Sequence, residues 1–364
     1  MKYDYLIVGT GLFGAVFARQ MVEAGRTVLL LEKEPTIGGN VKDSVIEGIQ
    51  IHQHGPHIFH TNNYNIWCYV NKFAKFNHYQ HRVKATFQNK IYTLPFNLAT
   101  YYELWGVTTP QEAQQELERQ RVKIKNPANL EEWALSHVGS DIYDKLIYGY
   151  TKKQWNREPR TLPASIIKRL PLRITFDNNY FNDHYQGIPI DGYSKLVENI
   201  IGDIPIRFDD FFSLLDWKLI AQKLVFTGAI DQFYNFKFGP LEYRSLRFES
   251  QIVEGDFQGI SQMNYTDENI PYTRIIEHKH FSYKEHARSV ITYEYPDNWD
   301  VTKHPYYPVN DDGNNALYAK YKTIPHVDIL FGGRLGCYRY LNMDETIGQA
   351  LTYAKRELNF KGIE

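Results

Sequence analysis

Cysteine is nearly absent: Cys68 and Cys337 are the only two in 364 residues. They are too few and too far apart for a zinc framework or a secreted disulfide scaffold, so a reducing, cytoplasmic setting is expected. Charge of one sign is also lacking. Against 41 Lys and Arg stand 42 Asp and Glu, a net of −1, and a chain so balanced has no whole-molecule attraction for nucleic acid or anionic membrane. Basic residues that function must act locally. Long apolar runs are missing as well. Tyr5-Leu6-Ile7-Val8 breaks at Gly9, far short of a signal-peptide core or a membrane span. No internal repeat or low-complexity tract appears. Aromatics are plentiful: 28 Tyr, 21 Phe and 6 Trp make 15% of the chain, and tyrosine packs its ring while keeping a hydroxyl for a ligand. At about 150 residues per domain the length suggests two domains.

The apolar run ends in Gly9-Thr10-Gly11-Leu12-Phe13-Gly14, after which Ala15, Val16, Ala18, Met21 and Val22 recur at helical spacing. That reads as strand, turn and helix. A second β-rich run, Thr27 to Leu31, delivers Glu32 eighteen residues after Gly14. In this pattern Gly9 makes the tight turn, Gly11 admits a pyrophosphate close to backbone, and Gly14 lets helix and strand pack closely. The helix N-terminus attracts the phosphates, and Glu32 accepts hydrogen bonds from a ribose. The pattern commits the first forty residues to dinucleotide binding.

Residues 84 to 94 read as a hairpin around Asn89-Lys90. Thr109-Pro110-Gln111-Glu112 is a capping-box pattern with proline at the first helical position, and Asn129-Leu130-Glu131-Glu132 repeats the logic. A helical insert is therefore expected from about 100 to 170. Strand-rich text runs from Gly187 to about Arg274, including Lys223-Leu224-Val225-Phe226-Thr227 and Ser245-Leu246-Arg247-Phe248. Near the end, Val327 to Phe331 leads into Gly332-Gly333-Arg334, and Ile347, Ala350, Leu351, Ala354 and Leu358 share one helix face. The expected class is mixed α/β: a Rossmann-like domain from 1–80 with 325–364, the helical insert at 100–170, and a mainly antiparallel sheet domain from 81–99 with 171–324.

The glycine pair in Pro35-Thr36-Ile37-Gly38-Gly39-Asn40 resembles the FAD-binding oxidoreductase superfamily, which favours FAD over a nicotinamide. Three further segments together resemble the bacterial UDP-galactopyranose mutases: Gly55-Pro56-His57-Ile58-Phe59-His60-Thr61, Gly149-Tyr150-Thr151-Lys152-Lys153-Gln154-Trp155, and Gly333-Arg334 with Tyr338-Arg339-Tyr340-Leu341-Asn342-Met343. Asn179-Tyr180-Phe181, Thr273 to His278 and Pro305 to Asn310 fall between them in family order, so the resemblance spans essentially the whole chain. It implies an intramolecular transferase that interconverts UDP-galactopyranose and UDP-galactofuranose for cell-surface polysaccharide. Reduced flavin N5 would be the nucleophile at the anomeric carbon, with an iminium intermediate and no net redox. A homodimer and an unnamed reductant are implied as well.

By the same resemblance Arg169 and Arg334 clamp the diphosphate, a task suited to a forked donor that is always charged. Arg274 is a further substrate-site arginine. Tyr150, Thr151 and Tyr180 fall on the uridine side with Asn264, Trp155 covers the sugar from a mobile loop, and the Tyr307 and Tyr340 hydroxyls approach the diphosphate. Cofactor contacts are carried over to Gly9, Gly11, Phe13, Gly14, Glu32, Lys33, Gly38, Gly39, Asn40, His57, His60, Gly333, Arg334, Asn342 and Met343. His52, His54, His57 and His60 form the densest histidine cluster. No acid or cysteine lies among them, so no metal is expected: His52 and His54 are read as structural, His57 and His60 as flavin-side.

Three departures from the family stand out. Asn342 replaces a frequent Asp, Asp344 a frequent His, and Ile147-Tyr148 a frequent Phe. Asn342 and Glu345 have capping-box spacing. The rival enzyme class is an FAD-dependent oxidoreductase of the amine-oxidase or desaturase type, which shares the glycine start and the ribose acid but lacks the Tyr-Thr-Lys-Lys-Gln-Trp and paired-arginine features.

Overall fold

The computed structural model describes residues 2–167 and 171–359. Tyr3–Val8 (β1) and Val28–Glu32 (β2) pair in parallel, Tyr5 opposite Val28 and Val8 opposite Leu31, with the helix Leu12–Glu23 (α1) crossing between them. They are the centre of a five-stranded parallel sheet whose spatial order is Ile329–Phe331, Ala221–Phe226, β1, β2, Ile206–Phe208. One face is covered by α1, Tyr193–Ile201 and Met343–Asn359, which bring Phe13, Phe17, Met21, Val197, Ile200, Ile347 and Ala350 into one buried cluster. Removing a ring as buried as that of Phe17 typically costs about 3–5 kcal/mol. Leu6, Leu29, Leu31, Leu224 and Phe226 fill the other face against Phe211, Trp217 and Phe233.

The second layer is a seven-stranded sheet in the order Tyr307–Pro308, Tyr243–Glu254, Arg288–Asn298, Arg274–Glu277, Gln262–Tyr265, Val83–Phe87, Lys90–Leu94. It is antiparallel except where Gln262–Tyr265 meets Val83–Phe87. The helical insert follows its capping signals. Thr109 and Glu112 cap Pro110–Gln120 reciprocally, and Asn129 caps Leu130–His137. Leu130, Ala134, Ile142 and Ile147 share one core cluster with Val83, Ala85 and Leu94 of the sheet.

Four sequence expectations are corrected. Ala221–Phe226 and Ile206–Phe208, placed at 171–324 with the antiparallel sheet, extend the parallel one. Leu224, Val225 and Phe226 are at most 2% exposed, the two-sided burial a parallel strand requires, and an apolar run does not name its partner. Residues Tyr193–Ile201, read as strand-rich, are helical; Tyr193, Leu196, Val197, Ile200 and Ile201 are all buried at helical spacing. Leu358, grouped on one helix face with Ile347, Ala350 and Ala354, is 38% exposed where those three are buried. The hairpin is present, but its turn residues are Gln88 and Asn89, both at positive φ, one place earlier than read. Among the described residues no helix is long and apolar enough to cross a membrane.

Candidate functional site

The turn after β1 is shaped by what it cannot contain. Gly9 has φ +97°, and a Cβ there would sit 2.2 Å from Thr227 Oγ1; a Cβ on Gly14 would sit 2.0 Å from the Gly9 carbonyl oxygen. The turn therefore closes directly on α1, whose first N–H groups have no partner within the helix. A second glycine loop lies against it, since a Cβ on Gly39 would come within 3.1 Å of Gly11 Cα. The cradle is open to a pyrophosphate where two bare backbones meet. Glu32 is 6% exposed; its Oε2 accepts from Thr10 N at 2.9 Å and Thr10 Oγ1 at 2.5 Å, and its Oε1 from Glu34 N at 3.0 Å. The acid thus stands at the end of β2, tied to the turn. Lys33, next to it, is exposed and lines a cavity of about 230 Å³ with Glu34, Gln232, Trp299 and His304.

Across the seven-stranded sheet one row of residues aligns by register: Asn264 opposite Arg274, and Arg274 opposite Glu294. Arg274 Nε is 3.1 Å from Glu294 Oε1, and its Nη2 donates to the Tyr150 hydroxyl at 2.7 Å. Burial, the largest single influence, works against the Arg274 charge, but Glu294 together with Tyr150, Tyr307 and Tyr180 outweighs it and the guanidinium stays protonated. On Glu294 burial wins, raising its carboxyl above the usual range, with Arg274 opposing. Burial pushes Tyr150 up to about 12, and burial with Glu294 raises Tyr307 further while Arg274 and Arg334 oppose. Both phenols stay neutral, as hydrogen-bond donors. Two forked cations, Arg274 and Arg334, act on the Tyr307 hydroxyl, and forked cations beside neutral hydroxyls are chemistry suited to an anionic group.

Arg334 follows Gly333, which packs on Phe13 and Thr227 beside the glycine turn. Its Nη2 donates to Leu341 O at 2.8 Å, its Nη1 reaches Tyr306 O at 3.3 Å, and its guanidinium lies 4.8 Å from the centre of the Tyr340 ring. The Tyr307 and Tyr340 rings are 5.8 Å apart. Arg334 thereby joins the dinucleotide turn to the phenols of the sheet.

The histidines do not converge on one point. His52 Nδ1 accepts from His57 N at 3.1 Å, and its ring stacks on Phe281. His54 Nδ1 shares a hydrogen bond of 2.6 Å with the Tyr306 hydroxyl, and His57 Nδ1 donates to Gly55 O at 2.8 Å. His60 Nδ1 donates to Asp183 Oδ2 at 2.6 Å while its ring stacks on Phe181. Burial and then Arg334 lower His57 to about 3, so it is neutral. The one metal-spaced cluster among the described residues is elsewhere, Asp256, Glu277 and His280, and there Lys279 Nζ already lies 3.1 Å from Asp256 Oδ1.

Most of the substrate residues read from sequence come together. Tyr150, Arg274 and Tyr307 surround Glu294; Tyr180 neighbours Arg274 and Tyr150, and Thr151 is buried on the Tyr150 helix. Arg169 lies outside the described residues. Trp155 is the last residue of the helix Gly149–Trp155, half-buried against the insert's core, rather than on a free loop. The Phe13 ring is buried beside Phe17, Tyr353 and Gly332. Asn40 Oδ1 is 2.7 Å from His304 Nε2. Asn342 donates its backbone N–H to Glu345 Oε2 at 2.8 Å at the start of the last helix, where Met343 packs partly buried. Sequence reading missed Glu294, the partner of Arg274, and Asp183, the partner of His60. The only hint of Glu294 was an acid between two tyrosines in an apolar strand; Asp183 carried none.

Residues 145–340 match the family model described as UDP-galactopyranose mutase, and residues 7–73 match an NAD(P)-binding Rossmann-like domain. A probable UDP-galactopyranose mutase of Klebsiella pneumoniae is 41% identical over 98% of this chain and 95% of its own length. A dTDP-fucopyranose mutase of Escherichia coli is 41% identical over 96% of this chain and 97% of its own. The crystal structure of a reduced UDP-galactopyranose mutase has the same fold, with a TM-score of 0.80 at 16% identity over 98% of this chain and 94% of that one.

Proposed function

The chain belongs to the UDP-galactopyranose mutase family, and from that premise we propose that it is an FAD-dependent isomerase that interconverts the pyranose and furanose forms of a nucleotide-linked galactose, UDP-galactopyranose first. The glycine cradle of Gly9, Gly11, Gly14 and Gly39, which any Cβ would narrow, fits a dinucleotide cofactor. When bound, a reduced flavin supplies a nitrogen nucleophile that holds the anomeric carbon while the nucleotide is away.

The residues of this chain do the rest. Contracting the ring requires the diphosphate to leave the sugar and return to the same carbon. Arg274 and Arg334 hold it by charge throughout, and the neutral Tyr150 and Tyr307 hydroxyls donate to its oxygens. The fixed positive field stabilises the further negative charge that the diphosphate takes up as its bond to the anomeric carbon breaks, without reorganisation. Glu294 keeps Arg274 aligned, and Tyr180 offers an aromatic face for the base. The observation that carries the reading is that the Tyr307 hydroxyl feels the charges of both Arg274 and Arg334, with Arg334 following Gly333 beside the glycine turn.

A second reading, the same chemistry on dTDP-fucopyranose, is supported by the equal identity to the Escherichia coli enzyme. It differs at the sugar's C6 hydroxyl and at the base and ribose. The test is anaerobic: purified protein is given UDP-galactofuranose or dTDP-fucofuranose, with and without dithionite, and the product is followed by chromatography. Conversion of either sugar only with reduced flavin, without stoichiometric reoxidation, supports the mutase reading, and the preferred sugar settles the substrate. Reduced protein inert towards both, with oxygen consumed on amine substrates, turns the reading to an oxidoreductase.

A further inference from the structure

Two lysines of the Tyr-Thr-Lys-Lys-Gln-Trp segment have no part in the site described so far, and the structure separates them. Lys152 faces solvent and pairs with Glu158 at 2.9 Å and Glu268 at 2.5 Å. Exposed pairs of this kind contribute about 0–1 kcal/mol. Lys153 turns inward, and its Nζ donates to three backbone carbonyls, Tyr265 at 2.8 Å, Ile270 at 3.0 Å and Tyr272 at 3.0 Å. An ammonium has three N–H donors and no acceptor, so all three are used. Burial pulls the group down to about 8, with Asp267 opposing, which leaves it protonated at neutral pH.

Those carbonyls belong to the last residue of strand Gln262–Tyr265 and to the turn that leads from it to Arg274–Glu277, the strands that carry Asn264 and Arg274. The helix comes unusually close to this turn. A Cβ on Gly149 would sit 2.3 Å from Thr266 O, and Thr266 Oγ1 donates to Lys145 O at 2.6 Å. Lys145 lies in a π-helical stretch, Tyr143–Tyr148, just before Gly149, a local widening frequent at functional sites. Tyr150 and Lys153 are three residues apart, hence on one helix face. The same face therefore bonds Arg274 through Tyr150 and the adjoining turn through Lys153.

We propose that Lys153 is a positioning residue for substrate binding: its three carbonyl bonds latch the helix Gly149–Trp155 to the 265–273 turn and so fix the Tyr150 hydroxyl against Arg274. The inference rests on the nucleotide-sugar reading of that site. Because the latch orients a group that binds substrate in ground and transition states alike, its loss is felt in KM more than in kcat.

The experiment uses flavin-loaded, dithionite-reduced full-length protein. Lys153→Met is expected to raise KM for the nucleotide sugar about fivefold or more with kcat within about twofold, flavin spectrum intact. Lys152→Met is expected to match the wild type, and Lys153→Arg, whose planar fork does not aim three donors at one point, to recover KM only in part. Hydrogen exchange is read alongside, with protection expected to fall together in residues 145–155 and 265–273 of Lys153→Met. If that protein does not accumulate, Thr266→Val, which deletes the neighbouring bond to Lys145 O, is expected to move KM and exchange the same way. Unmoved KM in an intact flavoprotein, or unchanged exchange in both segments, overturns the latch. A wild-type protein that converts neither nucleotide sugar while Lys153→Met still loosens both segments overturns the functional reading and leaves the latch as a structural tie only.

Discussion

Arg274 and Glu294 stand opposite each other on neighbouring antiparallel strands, Nε 3.1 Å from Oε1, with Glu294 1% exposed. The carboxylate is at once the counter-charge of a substrate arginine and the group whose field raises the Tyr307 hydroxyl. Breaking a buried pair from one side typically costs about 3–5 kcal/mol, because the surviving charge is left uncompensated. Glu294→Gln is therefore expected to destabilise the protein by roughly that amount in denaturant titration. Arg274→Met in the same chain should lose less than the sum of the two single changes. Additive losses would mean that the two groups do not act as a pair.

Arg334 is held by the carbonyls of Leu341 and Tyr306 with a face of Tyr340 beneath it. Arg334→Ala should cut turnover at least tenfold, more than about 1.4 kcal/mol of barrier, while flavin stays bound, and Arg169→Ala should do the same. Normal turnover in both would remove the clamp.

The glycine turn separates two kinds of substitution. At Gly14 even a methyl group meets the Gly9 carbonyl at 2.0 Å, whereas at Gly11 the nearest atom to a Cβ is Gly39 Cα at 3.9 Å. Gly14→Ala should therefore lower thermal stability together with flavin content. Gly11→Val should eliminate the flavin spectrum with a smaller loss of stability, by narrowing the cradle alone. A fully yellow Gly11→Val protein would contradict the cofactor placement.

Six histidines are held neutral: burial lowers His57, His81 and His278 to about 3 and His54 and His304 to about 4, and drives His52 well below its usual value. Unfolded, each titrates near 6.5, so between about 6.5 and 3 the unfolded chain binds more protons than the folded one. Stability is expected to fall as pH drops through that window and to be unaffected by these groups above it. Denaturation midpoints at pH 7.5, 6, 5 and 4 check this, and a flat series down to pH 4 would contradict it.

Local chemistry decided much of this protein before any contact formed. Gly9, Gly11 and Gly14 follow a short apolar strand because only glycine tolerates the turn and the close helix, and Thr109 with Glu112 closes a helix by bonds three residues apart. Those relations are short-range, so they are written in spacing. The family segments likewise announced Tyr150, Arg274, Tyr307 and Arg334. What spacing does not contain is partnership between distant strands. Lys223 to Thr227 reads as a strand, yet its place beside β1 follows from burial on both faces. Glu294 became part of the site only because antiparallel register sets it across from Arg274, and the Lys153 ammonium found its three carbonyls only where the helix met the turn. Register and docking are set by which buried surfaces fit, a property of the assembled core rather than of any one segment.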